Sequence, residues 1–227
     1  MKLFELLQAP TKTKTKRVVL VFGRMNPPTI GHGKLFAKAK QIAGNDELMI
    51  VPTKTVKTET DPLTFDQKVD FIASMFPEIA NDIVLDPDFR MIFYVAKKIN
   101  EAGATHLVMV VGSDRVAQFK AMLTNPKYNN RETGEYYFDK IEIVSAGERD
   151  PDSEGVEGMS ASKMRQAATN DDINAFAQGV PPGFKRTEEM FNAVKNGMGL
   201  TEDADNKDRE KYVAGSKAGK FIYSGWG

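Results

Sequence analysis

Thr29 and His32 stand three residues apart in the run Gly23-Arg24-Met25-Asn26-Pro27-Pro28-Thr29-Ile30-Gly31-His32. A hydroxyl and an imidazole in a Gly/Pro-rich turn can both donate to phosphate oxygens. Arg24 adds a cation to the same turn, and Asn26 can hold its shape. A second group lies far downstream, where Ser160, Ser162, Lys163 and Arg165 share the segment Ser-Ala-Ser-Lys-Met-Arg. If Ser160 caps a helix, the first turn of that helix offers unpaired N–H groups to an anion. Arg165 then supplies a guanidinium that grips two phosphate oxygens at once, with Lys163 as a supplementary charge or a solvated residue. A third group is Gly112 and Asp114, just after an apolar run. The carboxylate there can accept from two vicinal hydroxyls or cap the helix that follows. Taken singly, each group has a plain explanation as turn, cap or solvated face. Together they describe a site for a phosphorylated ligand.

Such residues need a scaffold that brings them together. The apolar run 18–22 reads as a buried strand and residues 33–43 as a helix, so the first group sits in a strand–turn–helix unit. That unit places a helix N-terminus at the carboxyl end of a parallel strand, where phosphates bind. The turn lacks the Gly-x4-Gly-Lys-Ser/Thr spacing of the Walker loop and the three glycines of a dinucleotide fingerprint. Alternation continues: strands over 47–52, 83–85, 106–111 and 141–144, and helices over 64–76, 89–102, 117–123, 160–169, 171–176 and 187–195. The helix over 64–76 has apolar periodicity through Phe65, Val69, Ile72 and Phe76, with Thr64 as N-cap. Residues 125–137 read as a polar loop or hairpin. The expected fold is α/β, a Rossmann-like parallel sheet with helices on both faces and with N- and C-terminal extensions. The expected division is an N-terminal arm over 1–16, one domain over 17–200 and a charged tail over 201–227.

Composition narrows the classes. The chain has 227 residues, 41% hydrophobic and 27% charged, with 31 Lys+Arg against 31 Asp+Glu. The zero formal net charge argues against a dedicated duplex nucleic-acid binder, which shows a basic excess. The absence of cysteine excludes thiol catalysis, disulfides and cysteine-held zinc. No run approaches the roughly 18–20 apolar residues that span a bilayer, and the expected address is soluble, intracellular and cytoplasmic. Asp150, Asp152, Glu154 and Glu157 form an acidic loop, read as a lid rather than a metal cage. The apolar residues of the two ends, Leu3, Phe4, Leu6, Leu7, Phe221, Ile222 and Trp226, suit docking on the core, on a second copy or within a larger assembly.

Four segments carry a family resemblance. Gly-Arg-x-x-Pro-x-Thr-x-Gly-His, with Thr29, Gly31 and His32, resembles the signature of the nucleotidylyltransferase superfamily with the HIGH motif. Residues 160–165 resemble its Ser-x-Ser/Thr-x-x-Arg box. Residues 111–114 resemble a Gly-x-Asp of nicotinamide-nucleotide adenylyltransferases, and residues 62–68 a Pro-x-Thr-x-x-x-Arg segment of that subgroup, with Lys68 in place of arginine. The resemblance spans residues 17–183 and is closest to that subgroup. It implies transfer of a nucleoside monophosphate, AMP from ATP, to a phosphorylated acceptor such as nicotinamide mononucleotide. Magnesium would accompany the triphosphate, and pyrophosphate would leave. His32 would donate to the α-phosphate in the transition state, Thr29 and Arg165 would act beside it on the phosphates, and Asp114 would take the ribose hydroxyls. Gly23, Arg24, Asn26, Gly31, Gly112, Ser160, Ser162 and Lys163 would line the nucleotide site. Lys54 and Lys57 would lie near the acceptor phosphate. Thr29, Met25 and Lys68 depart from the subgroup, which leaves cytidylyltransferase or phosphopantetheine-type activity as alternatives. A structural protein that keeps the fold within an assembly is the alternative of another class.

Overall fold

The computed structural model describes residues 16–86, 89–147 and 159–200. Its centre is a four-stranded parallel sheet in the order β2-β1-β3-β4. The strands are β1 (Lys16–Gly23), β2 (Glu47–Pro52), β3 (Ala104–Val111) and β4 (Lys140–Ser145). In the two inner strands, successive side chains enter different cores, as the pleat requires. Val19 and Val21 of β1 and Val108 and Val110 of β3 face one core. Val18, Leu20, Leu107 and Met109 face the other. Continuous apolar runs in both strands follow from burial on both faces.

On the first face lie α1 (Ile30–Ala43), α2 (Phe65–Met75), α5 (Ala161–Thr169), α6 (Ile173–Ala177) and α7 (Thr187–Gly197). On the second lie α3 (Ile92–Glu101) and α4 (Val116–Leu123), closed by Tyr136 and Phe138 from the loop before β4. The expected Rossmann-like sheet with helices on both faces is therefore the fold. The expected arm, tail and acidic loop (1–15, 201–227 and 148–158) lie outside the described residues.

Several local expectations change. α1 begins at Ile30 rather than residue 33, because Thr29 is its N-cap. Gly33 then sits inside the helix, against a ring: a Cβ there would lie 2.4 Å from Phe76 Cε1. The expected strand over 83–85 is a single bridge, Ile83 to Ile50, with one bond from Val84 N–H to the Ile50 carbonyl at 2.9 Å. α3 spans Ile92–Glu101, shorter than the 89–102 read from the sequence. Of the expected α2 stripe, Ile72 and the C-cap Phe76 are buried and Phe65 and Val69 only partly so; the helix's own buried positions are Lys68, Phe71, Ile72 and Met75. These positions follow the i, i+3, i+4, i+7 rule, and the lysine in the first of them disguised the stripe. Thr64 caps α2, its hydroxyl accepting from Gln67 N–H at 3.3 Å.

Candidate active site

β1 pairs with β2 on one side and with β3 on the other, so strand order reverses between β1 and β3. In an open parallel sheet this is where the connections diverge and leave a crevice at the carboxyl ends of the strands. The turn 24–29 leaves β1 there, and Gly112 with Asp114 leaves β3.

The turn is pinned from several sides. The Asn26–Pro27 peptide is cis and Met25 has φ 49°. Asn26, 2% exposed, uses both ends of its amide on Leu63: Nδ2 donates to the Leu63 carbonyl at 2.9 Å, and Oδ1 accepts from Leu63 N–H at 3.0 Å. Its side chain therefore joins the turn to the loop before α2. Thr53 N–H donates to the Gly23 carbonyl at 2.8 Å, tying the start of that loop to the end of β1.

Thr29 is buried, and its backbone N–H donates to His32 Nδ1 at 2.9 Å, the reach-back bond of a capping box. Nδ1 is thus an acceptor, which puts the ring proton on Nε2 and makes Nε2 the atom through which the imidazole can donate. The Thr29 hydroxyl lies 3.0 Å from the same Nδ1, so it supports the ring as well as the turn. His32 is half-buried and its ring is stacked near Phe36, centroids 6.4 Å apart, which orients it further.

Ser160 caps α5, its hydroxyl accepting from Lys163 N–H at 3.0 Å. Arg165, one turn into that helix, donates from Nη1 to the Asn26 carbonyl at 2.7 Å. This bond joins two segments 139 residues apart and sets the first turn of α5 beside the first turn of α1. Gly31 confirms the approach: a Cβ there would lie 4.0 Å from the Met159 carbonyl. Two helix N-termini therefore meet at one place, each with the partial positive charge of its amides. One α1 amide, Ile30 N–H, is already bonded to the Gly179 carbonyl at 2.7 Å.

Around this junction stand Arg24, Lys68 and Arg165, with Asp61 as the carboxylate among them. Arg24 is 59% exposed along its side chain and lies 3.6 Å from the buried Asp61. Lys68, 1% exposed, donates from Nζ to the Thr53 carbonyl. Burial lowers its pKa to about 8, against the opposing pull of Asp61 and with a smaller push from Arg24. Burial also lowers that of Arg165, which Asp61 partly offsets.

Asp114 lies in a short 3-10 turn, Ser113–Arg115, with its carboxylate exposed and 3.5 Å from Arg115 Nε. It does not cap α4, whose N-cap is Arg115 with no side-chain cap bond. A Cβ on Gly112 would come within 2.8 Å of Asp114 Oδ1, so glycine lets the carboxylate fold back over the strand end. Ser162 and Lys163 are exposed on the first turn of α5, and Lys54 and Lys57 are exposed on the loop after β2. His106 pairs with Glu142 at 2.6 Å, far from the turn along β3. Asp61, Thr53 and the burial of Lys68 were missed in the sequence. The signal that could have found them is a lysine on the apolar stripe of α2, because a buried ammonium needs acceptors nearby.

The family profile described as cytidylyltransferase-like matches residues 20–167. The chain belongs to this family. The match includes the turn 24–32 and the Ser160–Arg165 segment and agrees with the resemblance to nucleotidylyltransferases carried by the four motifs. No curated protein matches the chain by sequence. Among solved structures, the nicotinic acid mononucleotide adenylyltransferase of Plasmodium falciparum complexed with NaAD aligns at TM-score 0.53 and 15% identity, covering 79% of this chain and 98% of that one. The same enzyme complexed with APC gives 0.52 and 16% over the same shares. A bifunctional NMN adenylyltransferase/ADP ribose pyrophosphatase from Francisella tularensis gives 0.50 and 13%, covering 89% of this chain and 58% of that one. At these identities the likeness is one of fold.

Proposed function

We propose that this family member is an adenylyltransferase that moves AMP from ATP to a mononucleotide such as nicotinamide or nicotinate mononucleotide. The observation that carries the reading is the meeting of two helix N-termini, a donor-poised His32 and the Arg24 and Arg165 guanidiniums at the β1/β3 crevice. The solved relatives named above support the choice of acceptor class. A phosphate oxygen of the acceptor attacks the α-phosphorus, a new P–O bond forms, and the bond to the β-phosphate breaks to release pyrophosphate. Such a transfer asks little covalent chemistry of the protein. It needs in-line reactants and donors where negative charge spreads.

In this reading the triphosphate lies across the first turns of α1 and α5. Arg165 and Arg24 take the β- and γ-phosphates, Ser160, Ser162 and Lys163 add donors, and His32 Nε2–H meets a non-bridging α-oxygen. Neither Gly23 nor Gly31 is forced by packing or a positive φ, which suits positions where a nucleotide passes close to backbone. Asp114, exposed beside β3, takes the ribose hydroxyls, and Lys54 and Lys57 lie on the acceptor side. Among the described residues no group of three or more His, Cys, Asp or Glu side chains is gathered to hold a metal. In this reading magnesium would come with the triphosphate, held by phosphate oxygens and water.

A screen of ATP and CTP against nicotinamide mononucleotide, nicotinate mononucleotide and phosphopantetheine, read by pyrophosphate release, tests the proposal. Release with ATP and a pyridine mononucleotide is expected. Release only with CTP, or only with phosphopantetheine, contradicts the assignment within the family.

A further inference from the structure

Arg24 and Asp61 each stand two residues before Asn26 and Leu63, and the two segments pair in step. Asn26 meets Leu63 through its amide, and Arg24 meets Asp61 through charge. Arg24 Nη1 lies 3.6 Å from Asp61 Oδ2, and the Thr60 hydroxyl donates to the same oxygen at 2.9 Å. The two partners differ in exposure: the Arg24 side chain is 59% exposed, that of Asp61 1%. Asp61 Oδ1 meets no hydrogen-bond donor among the described residues. A buried carboxylate with an unsatisfied oxygen costs stability, so packing alone does not account for it. Its backbone is fixed nonetheless. Lys57 and Asp61 exchange both backbone bonds, at 3.0 and 2.8 Å, and Gly197 packs on the Pro62 carbonyl that follows. A rigid, buried anion thus stands behind a long, exposed cation at the end of β1.

We propose that Asp61 is a positioning residue that holds the Arg24 guanidinium at the crevice, ready for the β- and γ-phosphates. The proposal rests on the adenylyltransferase reading and extends it to a carboxylate that touches neither substrate. An exposed arginine loses much rotamer freedom when it grips a ligand, and that ordering weakens binding. Asp61 takes up part of the loss before ATP arrives. The guanidinium carries several N–H donors in one plane, so a carboxylate against Nη1 leaves other donors for phosphate. Burial suits the anion to this task. An exposed carboxylate would move with its own side chain and lie open to the triphosphate it repels, whereas Asp61 is fixed by its loop and has almost no surface of its own. Charge alone acts the other way. A carboxylate near the phosphates repels them, so its removal should by itself tighten ATP binding. Positioning and bare charge therefore predict opposite signs.

The test is a double-mutant cycle on the full chain, with Asp61→Asn, Arg24→Ala and the two combined. The readout is the Kd for magnesium–ATP and for pyrophosphate by calorimetry. Asparagine keeps the shape of aspartate and still accepts from Thr60, so the change removes the charge that faces Arg24. Asp61→Asn should weaken both ligands by about three- to tenfold, the cost of ordering one long side chain at a binding surface. With Arg24→Ala already in place, Asp61→Asn should weaken neither, because the group it positions is gone. Tighter or unchanged binding in Asp61→Asn overturns the proposal. Equal weakening in both backgrounds overturns it too, since a general structural role produces that result. Should Arg24→Ala not fold, the sign of the Asp61→Asn effect decides alone. Should Asp61→Asn not fold, Thr60→Val decides: losing the hydroxyl on Oδ2 should weaken ATP roughly twofold, and an unchanged Kd counts against the proposal. If both ligands bind but no acceptor supports turnover, the adenylyltransferase reading fails and the cycle still decides the role of Asp61. Failure of the unaltered protein to bind either ligand overturns both.

Discussion

His32 is oriented by its own helix cap. Thr29 N–H on Nδ1 fixes which nitrogen can donate, and the stacked Phe36 ring limits how the imidazole turns. A donor used on transition-state charge contributes more to rate than to binding. His32→Ala should therefore lower kcat by about 10²–10³-fold and change the Kd for ATP far less, as steady-state kinetics and calorimetry would show. An unchanged kcat removes His32 from the site. Arg165 holds the Asn26 carbonyl at 2.7 Å, and in the proposed reading it also meets phosphate. Lysine can supply the charge but not the fork, so Arg165→Lys should weaken ATP binding by roughly tenfold, about 1.4 kcal/mol. Wild-type affinity in calorimetry would count against that role. At this scale the chemistry-bearing types were readable from spacing. The partners that aim them were not: Asn26 meets Leu63, 37 residues on, and Arg165 meets Asn26 across 139 residues.

Elements remote from the chemistry hold the loop that holds the turn. The last residue of α7, Gly197, packs so closely on the loop before α2 that a Cβ would lie 2.1 Å from the Pro62 carbonyl oxygen. Backbone cannot yield as a flexible side chain can. Gly197→Ala should cost about 1–3 kcal/mol of stability, read from the urea midpoint, and should also raise KM for ATP, because Asp61 and Leu63 lie on the displaced segment. A variant as stable as the parent would show that α7 does not clamp this loop. Arg186 strengthens the same attachment from the other end of α7, bonding Asp70 at 2.6 Å and the Ser74 hydroxyl at 2.7 Å on α2. Strands β1, β2 and β3 were legible because doubly buried strands read as apolar runs. The buried face of α2 was not fully legible, only Ile72 and Phe76 of it, because Lys68 interrupts it. The bridge at Ile83 was not either, because three apolar residues in sequence do not tell a ladder from a single contact.

Over the whole molecule, two hydrophobic cores close on either side of the sheet using described residues. The family match, residues 20–167, covers both the turn after β1 and the first turn of α5. Among the described residues no helix is long and apolar enough to cross a membrane. A chain of residues 16–200 should accordingly unfold in one cooperative transition and keep ATP binding. If it folds yet binds no nucleotide, an end segment completes the site. The reversal of strand order between β1 and β3 was not legible in the strand–helix alternation, since order depends on crossovers that sequence pattern does not encode.

The central claim, that the bond broken lies between the α- and β-phosphates, is tested most directly with ATP labelled at either end. Incubated with the full chain, magnesium and nicotinamide or nicotinate mononucleotide, ATP labelled on the α-phosphate should pass its label into a dinucleotide product. ATP labelled on the γ-phosphate should leave its label in pyrophosphate. Transfer of the γ-label to the acceptor, or hydrolysis of ATP with no labelled dinucleotide, would contradict it.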